Sequence, residues 1–117
     1  MNYVAANNAP ILVSSDQSVV LPHDKMPVGH GEKKLSFVKH SITLKTNDVL
    51  YLYTDGYADQ CGGPKGKKFK YKQLDELLKR INTLSLAEQE TILNETFLNW
   101  KGSLEQVDDV CIIGIHL

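Results

Sequence analysis

Two apolar runs, each with acidic residues at one end, constrain this chain more than any other feature. Val49-Leu50-Tyr51-Leu52-Tyr53-Thr54 leads directly into Asp55-Gly56, and Asp108-Asp109 leads directly into Val110-Cys111-Ile112-Ile113-Gly114-Ile115. Both runs are short, rich in β-branched or aromatic residues and bounded by turn formers, so both predict buried strands. If the two strands are neighbours, their carboxylates can converge on one cation. Crowded carboxylates repel one another unless they are paired or coordinated. A hard, oxygen-ligated divalent ion such as Mg²⁺ or Mn²⁺ suits such a set. A plainer alternative stands beside this one: Asp-Gly after a strand is an ordinary turn, and Asp-Asp before a strand is a solvated loop.

The length of 117 residues suits one domain with a core of its own rather than two. With 13 basic and 14 acidic residues, the chain has no global pull towards nucleic acid or a membrane surface. Arg80 is the lone arginine, so bidentate recognition of phosphate would fall to lysines or backbone. Cys61 and Cys111 lack any zinc-type spacing. Cys111, inside a predicted core strand, reads as a small buried hydrophobe, and no disulfide is expected, which points to a reducing cytoplasm. No apolar stretch approaches membrane-spanning length and the N-terminus has no signal-peptide pattern. No membrane contact is expected of this chain, although a larger parent could be membrane-tethered.

Along the chain, Tyr3–Ala6 and Ile11–Val13 predict strands around the turn Asn7-Asn8-Ala9-Pro10. Residues 14–18 form a further turn before Val19-Val20-Leu21, and Pro22–Gly31 reads as irregular loop. Leu35 and Phe37 alternate, as do Ile42 and Leu44, but out of phase, which suggests a bulged strand or two strands with a turn. Lys45–Asp48 is a turn into the strand ending at Asp55, and Gly62–Gly66 is a second irregular segment. Leu74, Leu77, Leu78 and Ile81 recur at helical spacing. Ser85-Leu86-Ala87-Glu88 is a capping box opening a helix with Leu86, Leu93, Phe97 and Trp100 on one stripe and Gly102 as its stop. Strands, two helices and a final strand predict an α+β fold, with the helices on one face of a mostly antiparallel sheet.

Other constellations are weaker. Lys65, Lys67, Lys68, Lys70 and Lys72 crowd around Phe69 and Tyr71. Such interleaving occurs in single-strand nucleic-acid binders. Since the chain as a whole is not basic, these lysines more simply solvate a loop and a first helical turn, or attract a phosphorylated substrate to a nearby site. No nucleic-acid partner is expected. His23, His30, His40 and His116 have no mutual zinc spacing. No serine sits in a nucleophile-elbow setting, and the glycines around Pro64 lack phosphate-loop spacing.

Taken in order, several segments resemble the SpoIIE/RsbU-like branch of PPM-type serine/threonine phosphatases. Leu50–Gly56 and Val107-Asp108-Asp109-Val110 resemble its two C-terminal motifs. Ala5–Pro10 resembles its alanine-rich turn, and Met26-Pro27-Val28-Gly29 its small Pro-x-Gly motif. Asp59–Gly63 with Lys67-Lys68-Phe69, and Trp100–Gly102 with Glu105–Asp109, resemble a subgroup fused to bacterial sensory modules. The resemblance runs along essentially the whole chain, and it is the order and spacing of the motifs that is specific.

The resemblance implies a β-sandwich flanked by helices. It also implies metal-dependent hydrolysis of phosphoserine or phosphothreonine on a bacterial signalling protein, such as an anti-sigma-factor antagonist. Two Mn²⁺ or Mg²⁺ ions would activate water and clamp the displacement. By position, Asp55, with Gly56 beside it, and Asp108 would be metal ligands. Asp109 stands where many relatives have Asn and would orient water or a ligand. The family's first half carries a Gly-Asp motif and a further metal-binding Asp, and this chain has no Gly-Asp dipeptide. Residues 1–117 thus resemble a single partial domain, the C-terminal half, supplying two carboxylates of the usual set. Such a half is expected to be inactive alone and to self-associate through uncovered strands. The alternative is a non-catalytic protein-interaction module with a vestigial metal site.

Overall fold

The computed structural model describes residues 1–30 and 35–117. Along the chain run β1 (Asn2–Tyr3), β2 (Ile11–Ser14), β3 (Gln17–Val20), β4 (His40–Ser41), β5 (Val49–Tyr53), α1 (Gly56–Asp59), β6 (Cys61–Gly62), β7 (Lys67–Lys68), α2 (Tyr71–Ile81), α3 (Leu86–Lys101) and β8 (Ile112–His116). The central sheet has the order β3-β2-β5-β8, with every pair antiparallel. Ser15, at φ 55°, makes the tight turn that returns β2 into β3. The two apolar runs that dominate the sequence are therefore hydrogen-bonded neighbours, with Val49 opposite His116 and Tyr53 opposite Ile112.

Alternation along the strands separates two faces of this sheet. Ile11, Val13, Val49 and Tyr51 point to one side and pack with Leu74, Leu77, Leu78 and Ile81 of α2 and Phe97 of α3. The predicted stripe of α2 is buried in full, between 0 % and 4 % exposed. Ser85 caps α3 with the expected reciprocal box, and Gly102 ends it, donating its N–H to Leu98 O at 2.9 Å. Buried Gln89 accepts the Tyr51 hydroxyl at 2.7 Å and donates to Leu84 O at 2.9 Å, so the polar interior of α3 is satisfied.

The other face carries Leu12, Leu50, Leu52, Ile113 and Ile115, matched across strands as Leu12–Leu50–Ile115 and Leu52–Ile113. Among the described residues no helix packs on it: Leu50 is buried and Leu12 half-buried, but Leu52, Ile113 and Ile115 are 37 %, 50 % and 40 % exposed. The molecule measures 42 × 39 × 19 Å, one layer of sheet and one of helix. Its accessible surface is 7788 Å², against about 6,400 Å² for a compact monomer of this mass.

Several local expectations are corrected. Val110–Ile115 is not a buried strand: β8 is an edge strand, exposed along Ile113 and Ile115. Cys111 precedes it and is exposed rather than buried, because a strand with one bare face cannot enclose every member of an apolar run. The irregular reading of Gly62–Gly66 holds for 63–66, the turn between β6 and β7 with Gly63 and Gly66 at φ 66° and 59°, while Gly62 itself ends β6. Of Tyr3–Ala6 only Tyr3 lies in a strand, β1, paired with β4, and residues 35–44 contribute only β4 itself. Asp55-Gly56 opens a short helix, α1, rather than a simple turn. On the stripe of α3, Phe97 is buried, but Leu86 is 43 % exposed beyond the edge of the core. The irregular reading of Pro22–Gly31 holds for 22–30, and Gly31 lies outside the described residues.

Candidate metal-binding strand ends

Beyond the last paired residues of β5 and β8, the two strands stay tied through one side chain. The Thr54 hydroxyl donates to Asp109 O at 3.0 Å and accepts from Cys111 N at 3.0 Å, while Thr54 N donates to Cys111 O at 3.0 Å. This clasp holds the Asp108-Asp109 turn against the start of α1. Gly56 then allows the closest approach. A Cβ at this position would fall within the radius of Asp109 O and 2.9 Å from its carbonyl carbon. Only a residue without a side chain lets the backbone of the second acidic segment pass so near the first.

Gln60 supports the same segment from below. It is 0 % exposed, and its side-chain amide donates to Glu105 O and Cys61 O at 2.9 Å each and accepts from Val107 N at 3.3 Å. Its backbone carbonyl takes the Trp100 indole N–H and the Phe69 N–H, both at 2.9 Å. One buried amide thus connects α1, the β6–β7 hairpin, the end of α3 and the loop that leads to Asp108. Sequence reasoning placed Thr54 and Gln60 inside motifs without giving either a role. A polar residue within an apolar run and a glutamine between a helix and a glycine pair were the available signals.

The carboxylates themselves differ in what they are bonded to. Asp55 is the N-cap of α1 but makes no side-chain cap bond, and among the described residues it is in no ion pair. Asp108 Oδ1 accepts the Asp109 N–H at 2.7 Å, leaving its other oxygen available. Asp109 contributes its main-chain carbonyl to the clasp, and its carboxylate is exposed. Asp59, one helical turn on, is bound to Lys68 Nζ at 2.9 Å. That bond chiefly holds the Lys68 ammonium above its usual range. Burial, and then the charges of Asp55 and Asp59, push the Tyr71 phenol up. Tyr53, packed 6.0 Å from the Tyr71 ring, is pushed up to about 12, first by burial.

The structure thus brings Asp55, Gly56, Asp108 and Asp109 to one edge of the sheet. The donor chemistry, exposed carboxylate oxygens with no nitrogen or sulfur ligand, fits a hard divalent cation. It is an incomplete set. Among the described residues, no three His, Cys, Asp or Glu side chains are grouped so as to hold a metal ion. Nor is any helix long and apolar enough to cross a membrane.

Comparison with known proteins agrees with this architecture. The family model described as Stage II sporulation protein E (SpoIIE) matches residues 1–117. The SiaA-PP2C domain of Pseudomonas aeruginosa superposes with a TM-score of 0.89 at 22 % identity, covering 99 % of this chain and 45 % of that one. The structure of the PP2C phosphatase domain and a fragment of the regulatory domain of SpoIIE from Bacillus subtilis gives 0.69 at 20 % identity, covering 99 % and 33 %. The chain therefore spans less than half of either structure. No curated protein matches the sequence.

Proposed function

We propose, for a chain that belongs to the SpoIIE family, that it is the C-terminal portion of a metal-dependent protein phosphatase domain. The parent would remove phosphate from phosphoserine or phosphothreonine on a signalling protein, such as an anti-sigma-factor antagonist. One observation carries the reading: the Thr54 clasp and the Gly56 contact join the two acidic segments, while the Asp55 carboxylate has no partner among the described residues. Asp55 and Asp108 would hold the cation, and Asp109 would orient water or a ligand beside it. When bound, Mn²⁺ or Mg²⁺ supplies Lewis-acid chemistry towards phosphoryl oxygen and water. Thr54 and Gln60 act earlier, by fixing the two backbones before any ion arrives.

The incomplete donor set favours dependence on residues outside this chain, and so inactivity of residues 1–117 alone. The exposed patch of Leu52, Ile113 and Ile115 suits a second sheet packed about 10 Å away, as in a β-sandwich.

The test is turnover of a phosphoserine peptide by the full-length protein with Mn²⁺. Asp55→Asn should lower kcat by more than the 10–100-fold, roughly, that loss of an outer-sphere partner produces. Gly56→Ala should lower it as well, by displacing Asp109. Residues 1–117 alone should show no turnover. Activity of that piece, abolished by Asp55→Asn, would refute the dependence on outside ligands. A full-length protein inactive with both Mn²⁺ and Mg²⁺ would favour the interaction-module alternative.

A further inference from the structure

The groove between α2 and α3 is cationic. Residues 65–80 hold Lys65, Lys67, Lys68, Lys70, Lys72, Lys79 and Arg80 against only Asp75 and Glu76, in a chain whose net charge is −1. Two of these cations are already engaged. Lys68 is 2.9 Å from Asp59, and Lys79 is 2.9 Å from Glu76 and 3.7 Å from Asp75. Lys70, Lys72 and Arg80 have no ion-pair partner among the described residues, and all three line the groove. Glu76, the one acidic residue in the lining, is the carboxylate that Lys79 engages. The groove therefore presents uncompensated positive charge.

It is also built rather than incidental. Phe69 and Trp100 line it, edge to face at 5.3 Å, and the Trp100 N–H is tied to Gln60 O, so the aromatic floor is fixed in orientation. Its volume of about 980 Å³ is at the upper end of small-molecule sites, which leaves room for several residues of an extended chain. The groove is joined to the candidate metal edge through Lys70 N–H, which donates to Ala58 O of α1 at 2.7 Å. The Lys70 end of the groove therefore adjoins α1, the helix whose N-cap is Asp55.

We infer that the α2–α3 groove docks an acidic segment of the phosphoprotein substrate, with Lys70, Lys72 and Arg80 pairing with its carboxylates while its phosphorylated residue lies at the Asp55 edge. The identity of the partner rests on the phosphatase reading; the preference for an acidic peptide rests on the groove alone. Charge complementarity of this kind governs encounter and selection of partners more than it governs stability.

The test is fluorescence anisotropy on the full-length protein, using a fluorescein-labelled peptide of alternating Glu and Ala and its counterpart with Gln for every Glu. The acidic peptide should bind and the Gln peptide should not, with affinity falling as salt rises. Lys72→Glu with Arg80→Glu should weaken binding at least about tenfold, and Lys72→Gln with Arg80→Gln, gentler on the helix end, by less. Circular dichroism checks that both variants remain folded. Asp55→Asn should retain peptide binding whatever it does to turnover, so failure of the groove and failure of the phosphatase reading are distinguishable. Equal affinity for both peptides, or unchanged affinity in both double variants, would overturn the proposal. So would tighter binding of a single-stranded oligonucleotide or of phosphatidylserine vesicles through these same residues.

Discussion

Asp48 and Asp55 flank the same strand, β5, and neighbour the same partner strand, yet they are used in opposite ways. Asp48 is 3 % exposed, and its carboxylate accepts the Ser14 hydroxyl at 2.7 Å and the Lys45 N–H at 2.8 Å. Its backbone is bound as well, accepting the N–H of Leu117 at 3.0 Å. Asp55 caps no helix with its side chain and stands exposed opposite a second acidic pair. One carboxylate ties β2 to the turn that precedes β5, and the other makes no hydrogen bond or ion pair among the described residues. The difference suggests that functional carboxylates are found by accounting for hydrogen bonds rather than by position next to a strand.

The largest effect should come from the Asp48 end. Asp48→Ala would leave the half-buried Ser14 hydroxyl and the Lys45 N–H without their acceptor. It should destabilise the fold by about 1–2 kcal/mol, measured by urea unfolding. The Ser14 and Lys45 hydrogen bonds hold the Asp48 carboxyl below its usual range. In acid the folded state therefore binds fewer protons than the unfolded one. The contribution is present above the unfolded value of about 3.9 and is lost as pH falls through the lower folded value. The unfolding midpoint should consequently drop less steeply in acid for Asp48→Asn than for the parent sequence. A parallel pH dependence of the two would break the comparison.

A smaller effect on stability, but a visible one on assembly, belongs to the bare sheet face. Residues 1–117 should form a dimer or larger species at micromolar concentration, by edge pairing or by burial of that face, as light scattering would detect. Ile113→Lys, placed on the exposed edge strand, should shift the population towards monomer. A clean monomer with cooperative unfolding in the parent sequence would show the face to be self-sufficient.

The smallest effect should be that of Asp55→Asn on unfolding. As an exposed carboxylate without a partner, it should change stability by no more than about 0.5 kcal/mol. A loss comparable to that of Asp48→Ala would make Asp55 a structural residue and remove the contrast.

Much of this was legible in the sequence. The period of Leu74, Leu77, Leu78 and Ile81 identified the buried side of α2, because one helix face meets one apolar surface. Ser85 and Glu88 defined the start of α3, since the bonds of a capping box span only three residues. The acidic ends of the two apolar runs marked the candidate site, and the α+β class followed from element order. The sidedness of β8 was not legible. Ile112, Ile113 and Ile115 look alike in sequence, and only the placement of every helix on one face leaves Ile113 bare.

What the sequence determined by itself was local: the turns, the caps, the helix face and the presence of carboxylates at strand ends. These depend on residues within a few positions of one another. The tertiary structure alone decided which carboxylate is satisfied, because the partner of Asp48 in β2 lies 34 residues away. It alone gave Gln60 its place, since the amide reaches Glu105 across 45 residues. It alone set Lys70, Lys72 and Arg80, without ion-pair partners among the described residues, around an aromatic floor that includes Trp100 of α3. Apolar periodicity records which side of an element is buried, whereas the pairing of polar groups depends on which distant segments the fold brings together.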